Sequence, residues 1–248
     1  MMDARLPGRL WVNVLSLLLL FTMASGQLSA DDKPSSLATL RATRERFLSH
    51  FSEIKAHAGD LTYALPGRLA DDIDSATIVD PPAGYTREDW RERLEEVTQL
   101  DQALIEGLIS GKDLPITDKP GLSEHFIHSK VDGTLQPFAL YIPRSYRPEP
   151  AQTLVVLLHG NGQTESELLG APYFRKLADD TGTVILAPFG RGLYDFAAPA
   201  DEEIYQTLDQ VQMVFHAGPR HVFLVGYSMG GFSVFKVGPL HPNRWGAV

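Results

Sequence analysis

Apolar positions follow two different rhythms along the chain. Up to about residue 120 they recur every three or four residues, which is typical of amphipathic helices. The first such run predicts a helix over about 37–58, with its apolar side formed by Leu37, Leu40, Phe47, Leu48, Phe51 and Ile54. A second helix is predicted from Thr86 to about Ile109, because Thr86 and Asp89 form a capping pair and Gly111 follows. A loop rich in turn residues is expected between them. Residues 31–120 are therefore interpreted as a helical segment that packs on, or covers, the remainder of the chain.

After about residue 121 the apolar runs become short and alternate with helical patterns. Two short strands are predicted on either side of the Val131-Asp132-Gly133 turn. Further strands are expected at 153–158, 183–187 and 221–225, with helices at 165–180, at 202–215 and from Met229. This alternation predicts an α/β domain over 121–248 with a mostly parallel sheet flanked by helices.

Composition narrows the function classes. Of 248 residues, 44% are hydrophobic and 21% are charged, which is a globular composition, and the net charge is -9. This acidic balance argues against a nucleic-acid partner and against adhesion to acidic membranes. The chain has no cysteine and therefore no disulfide.

Residues 1–30 have the order of a secretory signal peptide. Arg5 and Arg9 precede an almost wholly apolar stretch over 10–23, and small residues follow over 24–30. The apolar stretch is shorter than the roughly 18–20 residues of a spanning helix, although an uncleaved anchor is the alternative. The sequence thus predicts a secreted or periplasmic protein without a stable membrane anchor.

The stretch Gly226-Tyr227-Ser228-Met229-Gly230 has the pattern G-x-S-x-G, directly after the apolar run "VFLV". In this pattern a strand turns abruptly into a helix, and the serine lies on a strained backbone with its hydroxyl exposed. Because a helix begins just after Ser228, backbone N–H groups point to the place where an oxyanion forms. The motif therefore predicts a nucleophilic serine.

A second glycine-rich stretch, His159-Gly160-Asn161-Gly162, ends the apolar run "LVVLL". In a parallel sheet both strands would present their carboxyl ends at one edge. We therefore expect the N–H group of Asn161, or of Gly162, to join that of Met229 in an oxyanion hole.

The histidines are predicted to be structural. His159 ends a strand and is interpreted as a hydrogen-bonding post for its own loop, and His241 as a helix-end residue. His125 and His128 have no third ligand near them in sequence, so a metal pair is not expected. His216 and His221 precede the nucleophile strand and so belong to the wrong edge of the sheet.

The stretches "LVVLLHGNG", "TGTVILAPFGRG", "RHVFLVGYSMGG" and "HPNRWGAV" resemble the α/β-hydrolase superfamily. The branch they resemble holds polyhydroxybutyrate-depolymerase-like and feruloyl-type esterases and is related to the catalytic domain of prolyl-oligopeptidase-type peptidases. The resemblance implies that Ser228 is the nucleophile and that Met229 and Asn161 supply oxyanion-hole N–H groups. It also implies substrate-binding roles for Gly162, Tyr227, Arg191 and Tyr194.

The sequence departs from this superfamily in one respect. There the acid and the base follow the serine, in the order Ser, Asp or Glu, His. Residues 229–248 contain one histidine, His241, and no Asp or Glu. A serine without a base is a weak nucleophile. We therefore expect a fragment of a longer serine hydrolase, nearly inactive as it stands.

The sequence predicts a secreted serine hydrolase that cleaves small-molecule or polymeric carboxylic esters through an acyl-enzyme on Ser228, with no cofactor and no metal. Two alternatives stay open. One is a serine peptidase of the prolyl-oligopeptidase type, and the other is a non-catalytic binding protein with a hydrolase fold.

Overall fold

The computed structural model describes residues 35–112, 114–149, 151–192 and 196–248. The predicted signal peptide lies outside these residues. The α-helices are α1 Ser35–Ser49, α2 Phe51–Ala58, α3 Leu65–Ser75, α4 Arg87–Ser110, α5 Glu165–Gly170, α6 Pro172–Thr181, α7 Ala200–Phe215 and α8 Met229–Val237. In the part of the chain that is described, no helix is both long and apolar enough to cross a bilayer.

Five strands form one sheet: β1 Gly121–His128, β2 Leu135–Ile142, β3 Leu154–Leu158, β4 Val184–Pro188 and β5 Val222–Gly226. Their order is β1-β2-β4-β3-β5. Strand β3 pairs parallel with β4 and with β5, whereas β2 pairs antiparallel with β1 and with β4. The sheet is therefore mixed rather than mostly parallel, because the predicted hairpin β1–β2 is part of the same sheet. The fold class is otherwise the predicted one, an α/β sheet flanked by helices and preceded by a helical segment.

The capping pair of α4 is present as predicted. The Thr86 hydroxyl accepts a hydrogen bond from the Asp89 N–H at 3.1 Å, and the Asp89 carboxylate accepts one from the Thr86 N–H at 3.2 Å. Gly111 follows the helix in a left-handed conformation. Local side-chain chemistry therefore sets both ends of this helix.

Three sequence predictions were wrong in detail. The loop expected between the first two helices contains a 3-10 turn, Gly59–Tyr63, and the whole of α3, in whose first turn Pro66 is tolerated. The helix predicted over 37–58 breaks at His50, whose backbone leaves helical values. The helix predicted over 165–180 breaks at Ala171, which is extended because Pro172 follows it.

The helical segment and the sheet share a core. Phe47, Ile54, Leu65 and Leu104 of the helices pack in one buried cluster with Phe126 of β1. Residues Pro34–Val248 form one compact unit. The helices before residue 112 are therefore an integral layer of the molecule that positions side chains at the edge of the sheet.

Candidate active site

Ser228 lies in the turn between β5 and α8, and it is exposed. Its backbone has φ 51° and ψ -114°, a conformation that non-glycine residues rarely adopt. Strain of this kind persists only where the surroundings enforce it, and it concentrates at functional sites. The geometry is that of the strand-to-helix elbow predicted from the G-x-S-x-G pattern.

Close backbone approaches explain the two glycines of the motif. A Cβ at Gly226 would lie within 3.0 Å of the Gly230 carbonyl group, and a Cβ at Gly230 would lie within 3.0 Å of the Leu158 carbonyl group. Real Cβ atoms essentially never approach that closely. Glycine at both positions therefore lets α8 begin directly against β3 and β5.

The loop after β3 lies directly beside this elbow. Leu158 is in register with Gly226, the Tyr227 N–H donates to the Leu158 carbonyl at 3.0 Å, and the Gly230 N–H donates to the His159 carbonyl at 3.1 Å. A Cβ at Gly160 would lie 3.4 Å from the Ser228 Cβ. The two glycine-rich stretches thus meet at one edge of the sheet, as the sequence predicted.

The backbone N–H groups near Ser228 differ in their hydrogen-bond partners. Met229 is the first residue of α8, so its N–H has no partner within the helix. The Gly160 N–H is occupied, because it donates to Gln163 Oε1 at 3.1 Å. Asn161 lies exposed in the same turn, and Gly162 follows with φ +77°. In this loop Gly160 therefore lies against the elbow with its N–H engaged by Gln163, and Asn161 and Gly162 follow it directly in the chain.

The histidines nearest the elbow in sequence are engaged elsewhere. His159 is fully buried, its Nε2 lies 2.7 Å from the Phe189 carbonyl oxygen, and its ring packs edge-on against Phe196. The ring of His241 packs against Tyr205 at a centroid distance of 4.4 Å. Within the described residues neither is hydrogen-bonded to the Ser228 hydroxyl. His159 thus has a structural role, as predicted: its Nδ1 lies 2.9 Å from the Gly160 carbonyl oxygen of its own loop, and its Nε2 also connects this loop to the end of β4, which was not predicted.

Of the remaining sequence-predicted residues, Tyr227 and Arg191 are described. Tyr227 is 58% exposed, and its ring edge lies 3.1 Å from where a Cβ of Gly160 would be. Arg191 lies in the loop after β4, but its guanidinium is paired with Glu203 and with Asp132 at 2.7 Å. Tyr194 lies outside the described residues.

A cleft of about 870 Å³ opens between the helical segment and the loops that follow β3 and β4. Its walls come from α3, α4 and the turn before α3, and from residues 162–171 and 189–192. Gln163 lines the cleft and also bonds the Gly160 backbone, which in turn faces Ser228. The cleft therefore borders the candidate oxyanion loop. No pattern in the sequence predicts it, because the cleft depends on how α3 packs.

A buried ion cluster connects the helical segment to β1 and to the start of α5. The Arg68 guanidinium, on α3, contacts the carboxylates of Asp101, Glu124 and Glu165, each at 2.8 Å. All three carboxylates are fully buried, and Glu165 is the first residue of α5, directly after the loop. Arg68 thus connects α3 to α4, β1 and the loop after β3.

Burial of so many acids around one cation changes their protonation. Burial, followed by the charge of Glu124, raises the pKa of Glu165 well above its usual range. Burial also opposes ionisation of Glu124, but the adjacent Arg68 lowers the pKa of that carboxyl. On α3, burial and the neighbouring Asp101 raise the pKa of Asp72 to about 8. These shifts favour the protonated form of Glu165 in the cluster and of Asp72 beside it, whereas Arg68 favours the ionised form of Glu124.

Apolar surface is exposed beside the elbow. Phe232 and Phe235 of α8 are 74% and 80% exposed, and Val225 of the edge strand β5 is also exposed. Gly246 and Ala247 run parallel to β5, where the Gly246 N–H donates to the Val222 carbonyl at 2.7 Å.

In the described residues, no group of three or more His, Asp or Glu side chains is arranged to hold a metal.

No protein-family profile matches the chain. A curated relative, the bifunctional acetylxylan esterase/xylanase XynS20E of Neocallimastix patriciarum, is 25% identical over 112 residues, which are 44% of this chain and 16% of the relative. The chain thus spans about one sixth of that protein.

Three solved structures illustrate the structural likeness. FphF, a fluorophosphonate-binding serine hydrolase of Staphylococcus aureus, matches with a TM-score of 0.44 and 19% identity over 51% of this chain and 55% of that one. The ferulic acid esterase AmCE1/Fae1A of Anaeromyces mucronatus matches with a TM-score of 0.44 and 18% identity, over 55% of this chain and 60% of that one. An acetyl xylan esterase of Aspergillus awamori matches with a TM-score of 0.43 and 18% identity, over 50% of this chain and 49% of that one.

Proposed function

We propose that this protein is a serine hydrolase that cleaves carboxylic esters through an acyl-enzyme on Ser228. One observation carries the proposal: Ser228 is exposed on a strained elbow, with the Gly160 loop packed against it. A binding module has no physical need for that strain. The similarity to a protein named as an acetylxylan esterase/xylanase supports an ester as the bond that is cleaved.

In the proposed reaction the Ser228 Oγ attacks the ester carbonyl carbon and gives its proton to a base. The N–H groups of Met229 and Asn161 stabilise the oxyanion of the tetrahedral intermediate. Collapse of the intermediate expels the alcohol, which takes up the proton, and leaves an acyl group on Ser228. Water then attacks the acyl-enzyme and releases the carboxylic acid.

We infer that residues 229–248 do not supply a complete acid and base for Ser228, because they contain one histidine and no Asp or Glu. The superfamily order places both after the serine. The apolar and basic pattern of residues 1–30 supports a secreted or periplasmic location.

The test is hydrolysis by the protein expressed from its complete gene. We expect turnover of p-nitrophenyl acyl esters that Ser228→Ala reduces by about a thousandfold or more. A prolyl p-nitroanilide cleaved faster than the esters would instead favour the peptidase. Absence of turnover with either substrate, together with ligand binding that Ser228→Ala leaves intact, would favour the non-catalytic binding protein.

A further inference from the structure

The loop between β3 and α5 contains a tight turn that Gln163 closes with both its backbone and its side chain. The Gln163 N–H donates to the Gly160 carbonyl at 3.2 Å, and the Gln163 Oε1 accepts a hydrogen bond from the Gly160 N–H at 3.1 Å. Gly162, the third residue of the turn, has φ +77°, in the left-handed region that this position of a type II turn requires. Gln163 therefore holds both backbone polar groups of Gly160.

The Gln163 carboxamide lies beside the nucleophile elbow. A Cβ at Gly160 would lie 2.9 Å from the Gln163 Oε1 and 3.4 Å from the Ser228 Cβ. It would also lie 3.1 Å from Cδ1 of the Tyr227 ring. These atoms surround one point that glycine leaves empty, so the hydrogen bond between the carboxamide and the Gly160 N–H forms directly beside Ser228.

The composition of this loop explains why it needs an anchor. Backbone N–H groups stabilise an oxyanion effectively only when they are oriented before the charge develops. Glycine gives a chain more conformational freedom than any other residue, and the loop has glycine at positions 160 and 162. Its start is anchored to the elbow, because the Gly230 N–H donates to the His159 carbonyl at 3.1 Å. Gln163 supplies the second anchor, on the other side of these glycines.

We propose that Gln163 is a positioning residue for the reaction at Ser228. Its Oε1 holds the turn so that the Asn161 N–H stays oriented towards the oxyanion. The inference rests on the proposed function, because it concerns the same oxyanion hole. Gln163 acts through the backbone of Gly160 rather than through contact with the reacting atoms. Loss of its acceptor should therefore slow the chemical step and leave ground-state binding of the substrate little changed.

Two glutamines provide a matched pair of variants. Gln163→Met keeps an unbranched side chain of similar size but replaces the carboxamide oxygen by a thioether, which is a weak acceptor. Gln206, on α7, is also half-buried, and its Oε1 accepts from the Lys130 N–H at 3.0 Å while its Nε2 donates to the His128 carbonyl. These partners belong to the β1–β2 turn and not to the loop beside Ser228. Gln206→Met therefore removes comparable hydrogen bonding without the proposed positioning.

The experiment measures hydrolysis of p-nitrophenyl esters by the protein expressed from its complete gene. The kcat is expressed per site that a fluorophosphonate labels at completion, so that an unfolded fraction does not count. Gln163→Met should lower this kcat about tenfold to a hundredfold and change KM less than about threefold, because loss of a whole oxyanion-hole donor costs about 10²–10³ in kcat. Gln206→Met should change kcat less than about twofold.

The initial rate of labelling is a second readout, which needs only the folded fraction of each preparation. Gln163→Met should slow it by a factor similar to that for kcat. Equal kcat values of the two variants per labelled site, or an effect of Gln163→Met confined to KM, would overturn the inference and leave the proposed function intact. Absence of both turnover and labelling in the wild-type protein would overturn the proposed function and the inference with it.

Discussion

The backbone of Ser228 keeps its strained conformation because the groups around it cannot move apart. Gly230 donates to the His159 carbonyl, and its Cα faces the Leu158 carbonyl with no room for a methyl group. The geometry at Ser228 therefore depends on Gly230, which has no side chain.

Adding a methyl group at Gly230 tests this dependence. Gly230→Ala should lower the free energy of unfolding by about 3 kcal/mol, because the new Cβ would overlap the Leu158 carbonyl. Gly218→Ala is the control, since a Cβ there would meet nothing within 4 Å and its φ is -73°. Urea denaturation measures the free energy of unfolding of both variants. Equal stability of the two variants would mean that the elbow is not closely packed.

The sequence predicted this residue-scale arrangement well, because both glycine-rich stretches directly follow buried strands and parallel strands end at one edge. It also predicted the ends of α4, where Thr86 and Asp89 cap each other locally. It did not predict the role of Gln163 or Arg68. Their partners, the Gly160 N–H and three carboxylates from α4, β1 and α5, come together only through tertiary packing.

At the scale of elements, Arg68 connects α3 to the other layers of the fold. Removing one partner of a buried ion cluster leaves uncompensated charge in the interior. Arg68→Met should therefore destabilise the protein by about 3–5 kcal/mol. Arg87→Met is the control, because the Arg87–Asp80 pair is exposed and its loss should cost at most about 1 kcal/mol. Thermal or urea unfolding of both variants measures the contrast, and a small effect at Arg68 would contradict the structural role of the cluster.

The same cluster makes stability depend on pH through Asp72, whose pKa burial and Asp101 raise to about 8. Between about pH 4 and pH 8 the unfolded chain has already lost this proton while the folded protein still holds it, so stability falls as pH rises through this window. The asparagine side chain of Asp72→Asn cannot ionise, so this variant does not lose stability through this group as the pH rises. We expect it to be stabilising by about 1–3 kcal/mol at pH 8 and nearly neutral at pH 4.

The control for Asp72 lies on the same helix. Asp74 is exposed, so Asp74→Asn should change stability by about the same small amount at both pH values. Denaturation of the three proteins at pH 4, 6 and 8 gives the comparison. A stabilising effect of Asp72→Asn that does not grow with pH would show that Asp72 is ionised in the folded protein.

At the scale of the whole molecule, the helices before residue 112 and the sheet share one buried cluster and should unfold together. Trp90 reports on α4, and Trp245, packed near Tyr205, reports on the sheet side. Single-tryptophan proteins, made by replacing Trp11 together with either Trp245 or Trp90 by phenylalanine, should give coincident urea transitions. A transition reported by Trp90 at a lower urea concentration than that reported by Trp245 would show that the helical segment is a separately folding cover.

The central claim, that Ser228 is a reactive nucleophile, is tested most directly by covalent labelling. The protein expressed from its complete gene is treated with a fluorophosphonate, and the site of modification is mapped by mass spectrometry of its peptides. We expect a single phosphonyl group on Ser228, absent from Ser228→Ala. No label on the wild-type protein, or the same label on Ser228→Ala, would contradict the claim.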